Sequence, residues 1–175
     1  MRYRTLVPAM IVAFILQLTV MNLISINGIV PNLILCLVLI SVLLYDNEHR
    51  MIIASVVAGF LLDFAVGKYI GVYALTYFII GALTVVYKQY FNFESKITII
   101  PLCVGGTFIY HVLSSIVLAF LGVNINVIKV LMYVVIGSIL NFVVMFIMYV
   151  IMIKKATARP KRSRYERYEI IWETF

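Results

Sequence analysis

The residue best placed to do chemistry in this chain is a carboxylate in the middle of an apolar run. Asp63 lies within residues 59–75, GFLLDFAVGKYIGVYAL, and is the only acidic residue inside a hydrophobic segment. Placing such a group in a bilayer costs about 2.5–3.5 kcal/mol, so it turns toward protein or water rather than lipid. Ser55, Gly59, Asp63 and Gly67 recur every four residues and stack on one helix face. Three of these four are small, and small residues let a second backbone come close where packing drives helix association. Gly67 and Gly71 bracket Lys68, Tyr69 and Ile70, a break short enough for a tight turn between antiparallel helices.

Counting along the helices places Asp63 about 18–20 Å from the inner membrane face, with Gln17 and His111 at similar depth. The expectation is a hydrogen-bonded cluster of these three side chains. It has two readings: a polar node that holds a cavity or a partner's helix, or an interhelical hydrogen bond that only supports the fold. Under either, Asp63→Asn is expected to be mild, because an amide still hydrogen-bonds. A proton relay needs a chain of ionisable groups, and one Asp with one His is too few. His111 reads as a packed histidine, since no Cys, His or carboxylate sits at ligand spacing beside it. No metal or cofactor is expected. Paired carboxylates, a Ser-His-Asp arrangement in an accessible loop and a phosphate-cradling glycine loop are all missing, so the chain is not read as an enzyme.

The elements that must position these residues are membrane helices. The 175-residue chain is 65% hydrophobic with a mean hydropathy of +1.12, which excludes an ordinary soluble domain. Continuously apolar stretches without period-2 alternation exclude a transmembrane β-barrel and predict an all-α, polytopic protein with six transmembrane helices. The expected segments are 5–23, 29–44, 51–66, 70–87, 97–121 and 127–153. The first is longer than a signal-peptide core and lacks an A-x-A site, so it reads as an uncleaved helix. Residues 25–28 form the first turn. Pro31 and Asn32 open the second segment, where proline costs little in a first turn and Asn32 is placed to bridge to a neighbour. Gly105 and Gly106 predict close packing or a kink in the fifth segment. Tyr73 and Tyr77 read as packing or interface aromatics. Cys36 and Cys103, both in apolar segments, read as small core residues.

Residues 1–153 thus form a transmembrane domain and 154–175 a basic, aromatic tail. Six crossings put both termini on one side, and the distribution of Lys and Arg decides which. Of the fourteen basic residues, only Lys68 and Lys129 fall on the outer side if the N-terminus is cytoplasmic. Lys68 reads as a solvated head group or as a partner for an acid on another protein. Lys154, Lys155, Arg159, Lys161, Arg162 and Arg164 lie just inside the membrane, where each is attracted to anionic lipid by up to about 1 kcal/mol. Tyr165, Tyr168, Trp172 and Phe175 then follow at helical spacing. That stripe fits a lipid-interface anchor or a docking helix for a cytoplasmic partner.

Pro31-Asn32, the run Gly59-Phe60-Leu61-Leu62-Asp63, Gly67 and the stretch from Ile70 to Leu75 together resemble the signature of the MreD family of rod-shape-determining membrane proteins. The resemblance covers the whole layout, with its diagnostic residues between positions 31 and 75. It implies a bacterial inner-membrane scaffold that partners the bitopic protein MreC in the elongation complex, which links MreB filaments to cell-wall synthases during peptidoglycan synthesis. It also implies a fold similar to the substrate-binding subunits of energy-coupling-factor vitamin transporters. The resulting candidate node is Asn32, Gly59, Asp63, Gly67, Gly71 and His111, with a partner's helix expected against the small-residue face of the third helix. The competing function is such a vitamin-binding subunit. Ala9 and Ala13, four apart in the first helix, would then mimic a docking face, although the outer turns are too short to cover a ligand.

Overall fold

The computed structural model describes residues 3–45, 47–66, 68–90 and 98–157. Among these it forms six α-helices: α1 (Tyr3–Leu18), α2 (Leu33–Leu44), α3 (Glu48–Ala65), α4 (Val72–Tyr90), α5 (Ile99–Phe120) and α6 (Val127–Thr157). By length and composition α4, α5 and residues 127–151 of α6 are able to cross a membrane, whereas α1 and α2 are shorter apolar helices. The all-helical expectation therefore holds, while the helices are far less uniform than six equal apolar runs suggest.

The shortest helix is the centre of the molecule. All of α2 except Leu44 is buried, and α1, α3, α4, α5 and α6 each pack against it. A helix apolar on every side has no face to give to water, so it is stable only when surrounded. The heaviest pairings are α3 with α4 and α5 with α6, the two hairpins joined by short turns. One continuous apolar core links all six helices through Leu6, Leu35, Ala58, Tyr77, Cys103 and Met145. Both cysteines are free and buried, as small core residues.

The ends of the elements follow from local chemistry. The apolar run expected to continue to residue 23 stops as α-helix at Leu18 and finishes in a single 3-10 turn, Met21–Ile24. Asn27 and Gly28 then adopt positive φ, 52° and 77°, while Ile26 and Ile29 exchange backbone hydrogen bonds of 3.0 and 2.9 Å. That is the two-residue turn for which Asn-Gly is suited. The second helix begins at Leu33 rather than 29, because the Asn32 side chain accepts from Leu35 N–H and caps it. Pro31 therefore precedes the cap instead of lying in the first turn. Asn47 caps α3 in the same way, through Arg50 N–H. The sixth helix runs on to Thr157, so Lys154 and Lys155 belong to it rather than to a separate tail.

Candidate functional site

Asn32 is the hub of the buried polar groups. Its side-chain oxygen accepts from Leu35 N–H at 2.9 Å and from the Tyr77 hydroxyl of α4 at 3.0 Å. Its backbone N–H donates to Asn141 Oδ1 of α6 at 2.6 Å. Asn141 in turn donates through Nδ2 to Thr107 Oγ1 of α5 at 3.0 Å, and its carbonyl accepts from Cys36 Sγ at 3.4 Å. On the far side of the same helix start, Gln17 of α1 donates to Pro31 O at 3.1 Å and accepts from Leu33 N–H at 2.7 Å. Side chains from α1, α4, α5 and α6 thus meet at one end of α2. Buried inside the bundle, Asn32, Asn141, Thr107 and Tyr77 must satisfy one another. Asn32 bridges α2 to α4 and α6; Asn141, Thr107 and the hydroxyl of Tyr77 complete a network that sequence reasoning did not assemble. An Asn in the middle of the longest apolar helix was the available signal, since it has to find a partner.

The cluster expected around Asp63 does not form. Gln17 is engaged at α2, and His111 lies elsewhere. Asp63 sits in the last turn of α3, 1% exposed, and its carboxylate accepts three backbone N–H groups from the start of α4. Oδ2 takes Gly71 and Ala74, both at 3.0 Å, and Oδ1 takes Tyr73 at 2.9 Å. These are the unpaired donors that open every helix, and the helix dipole there favours negative charge. Asp63 is an N-cap supplied to α4 by the preceding helix. Gly71, whose φ is +101°, makes the backbone turn that presents those donors, a conformation costly for any residue with a Cβ.

The small-residue face of α3 is filled by α4. A Cβ on Gly59 would lie 2.6 Å from Ala74 Cα and from Tyr73 O, and one on Gly81 would lie 2.7 Å from Ser55 Oγ. Ser55, Gly59 and Asp63 are all buried. A partner's helix therefore cannot pack on Gly59, as the spacing alone suggested; the hairpin's own second helix is there. Gly67 lies outside the described residues. So do Arg159, Lys161, Arg162, Arg164 and Trp172.

His111 is half-buried on α5. Its ring stacks on Tyr133 of α6 at 5.7 Å and meets the edge of Tyr110 at 5.0 Å. Tyr110 stacks on Tyr73 and meets the edge of Tyr77, so an aromatic ladder joins α4, α5 and α6. Gly137 makes room for the imidazole, since a Cβ there would sit 3.1 Å from Nε2. This is the packed histidine expected. Gly106 admits Leu39 of α2, while the position of a Cβ on Gly105 is open space. Only one of that pair therefore serves close packing. Ala13 is buried against Leu33 and Leu37 of α2, so Ala9 and Ala13 do not form an outward docking face. Among the described residues no three His, Cys, Asp or Glu side chains are grouped to hold a metal ion.

Fold and site together define a helical membrane protein that spends its buried polar side chains on holding helices together. The chain matches the family model described as rod shape-determining protein MreD over residues 2–156 and belongs to that family. It is a rod-shape-determining membrane protein, of a structural rather than an enzymatic family. No curated protein and no solved structure matches it.

Proposed function

We propose that this chain is a non-enzymatic inner-membrane scaffold of the rod complex, which binds the bitopic protein MreC and supports peptidoglycan synthesis at the elongating wall. The observation that carries the reading is the family match over residues 2–156, and the internal use of the polar groups agrees with it. Asp63, Asn32, Gln17, Asn141 and Thr107 are each engaged within the bundle. The protein crosses the membrane six times, with both termini cytoplasmic and a fold similar to energy-coupling-factor substrate-binding subunits. The expected result is co-purification of MreC with the full chain from detergent-solubilised membranes, lost when the chain is omitted. Recovery of transporter ATPase subunits in place of MreC would overturn the reading.

The last residues of α6 and the tail beyond them, 154 to 175, anchor the chain to anionic lipid, with MreB filaments as a further contact of the aromatic stripe. Deleting residues 165–175 keeps the basic cluster and removes the stripe. Normal membrane insertion with reduced filament association is the outcome expected of a docking helix. Unchanged filament association leaves lipid anchoring as the tail's whole role.

A further inference from the structure

The hydrogen bonds around Asn32 fix the relative height of the helices at the end where α2, α4 and α6 begin. The start of α2 is level with Asn141 and Thr107, and through Gln17 with the end of α1. Beyond that level α4 contributes only Val72–Thr76, one and a half turns before Tyr77, which is about 8 Å of helix. In contrast α5 continues through thirteen residues from Phe108 to Phe120, and α6 begins fourteen residues earlier at Val127, about 20 Å of helix in each case. The α5–α6 hairpin thus overhangs the turns of the other four helices.

That overhang is apolar over most of its exposed surface. Val127, Ile128, Leu131, Met132 and Val135 are exposed, as are Ile116 and Phe120, and Lys129 is the one charge between residues 108 and 140. A hairpin so largely hydrophobic on its exposed sides belongs in hydrocarbon rather than in water. If it lies in the leaflet, the α1–α2 and α3–α4 turns are sunk beneath the headgroup level beside it. Those turns are built for that. Leu23 is 85%, Phe64 73% and Ile70 70% exposed, the only acid nearby, Asp63, is engaged with α4, and exposed Lys68 supplies positive charge.

We propose that this stepped end is a phospholipid-binding surface. The outer leaflet dips over the α1–α4 turns, whose apolar side chains meet acyl chains, while Lys68 takes the phosphate of an anionic headgroup. A bilayer accommodates short hydrophobic elements by thinning locally, at fractions of a kcal/mol per ångström. The step therefore favours short-chain lipid at the α1–α4 turns and not at the hairpin tip.

The test uses the full chain with Trp172→Phe and one reporter, Leu23→Trp, Ile70→Trp or Val127→Trp, all at exposed positions. Each is reconstituted alone in phosphatidylcholine–phosphatidylglycerol vesicles and quenched by brominated phosphatidylcholine or by aqueous iodide. The expected result is strong quenching of the Leu23 and Ile70 reporters by brominated lipid and little by iodide. Dimyristoleoyl lipid should compete about twofold better than dioleoyl lipid at these two sites, with no such preference at Val127. Lys68→Gln should abolish preferential competition by phosphatidylglycerol at the Ile70 reporter. Quenching of the turn reporters by iodide and not by lipid would place them in water and overturn the proposal. Shielding from both quenchers would show a second copy of the chain covering the surface, and would overturn it equally.

Discussion

Asp63 is a helix cap, and this changes what its replacement does. Two oxygens accept three N–H donors. An amide keeps one oxygen and points an N–H₂ at the remaining donor, so Asp63→Asn is not the mild change that hydrogen-bonding capacity alone suggests. Capping substitutions cost about 0.5–2 kcal/mol, and each backbone donor left buried without an acceptor costs about 1–3 kcal/mol. The expected order of thermal stability in detergent is wild type, then Asp63→Asn, then Asp63→Leu, with membrane abundance following it. Asp63→Asn indistinguishable from wild type would show that a single acceptor is enough. The cap was hidden in the sequence because its donors lie eight to eleven residues ahead, across a turn. One sign was there: Ile70 and Gly71, just before α4, include no Ser, Thr, Asp or Asn to cap it locally.

At the level of elements, glycines rank the helix contacts. A Cβ on Gly59 would press on α4 backbone, one on Gly81 on the Ser55 side chain, and one on Gly105 on nothing within 4 Å. Backbone cannot move aside cheaply, whereas a serine hydroxyl can turn away. Gly59→Ala is therefore expected to destabilise by about 1–3 kcal/mol and Gly81→Ala by less. Gly105→Ala should be neutral or stabilise by up to about 1 kcal/mol, because alanine is the better helix former. Unfolding midpoints of the three purified variants check this order, and a Gly105→Ala as damaging as Gly59→Ala would contradict it. The helices themselves were legible, since each is a continuous apolar run and lipid or core burial demands such runs. Their ends were not. The second segment loses its first turn because Asn32 caps at that position, and the first segment stops short at Leu18. The meaning of the Ser55–Gly59–Asp63 face was half legible: spacing predicted a close neighbour, but whether that neighbour is α4 or another protein is decided by the tertiary fold.

Across the whole molecule, six crossings would distribute charge to the two ends very unequally, and that asymmetry predicts the orientation. The end with the α1–α2, α3–α4 and α5–α6 turns holds Lys68 and Lys129 as its basic residues. In the proposed six-crossing arrangement the other twelve of the fourteen basic residues, Arg50 and Lys88 among them, fall at the opposite end, and Lys88 donates to Tyr45 O, tying the end of α4 to the α2–α3 loop. Positive residues in short loops resist transfer across the membrane, so the end with fewer basic residues is the one predicted to be translocated. Reporter fusions at Asn47, Phe91 and the C-terminus are expected to give a cytoplasmic signal, and those at Ser25, Tyr69 and Asn124 an external one. The 12-residue α2 makes this test a demanding one. At about 18 Å it is shorter than the roughly 30 Å hydrocarbon core, so it can cross only if the other five helices enclose it. A cytoplasmic signal at Ser25 together with an external one at Tyr69 would mean that α1 and α2 enter the membrane without crossing it. The bundle would then be a four-span protein with a re-entrant N-terminal hairpin.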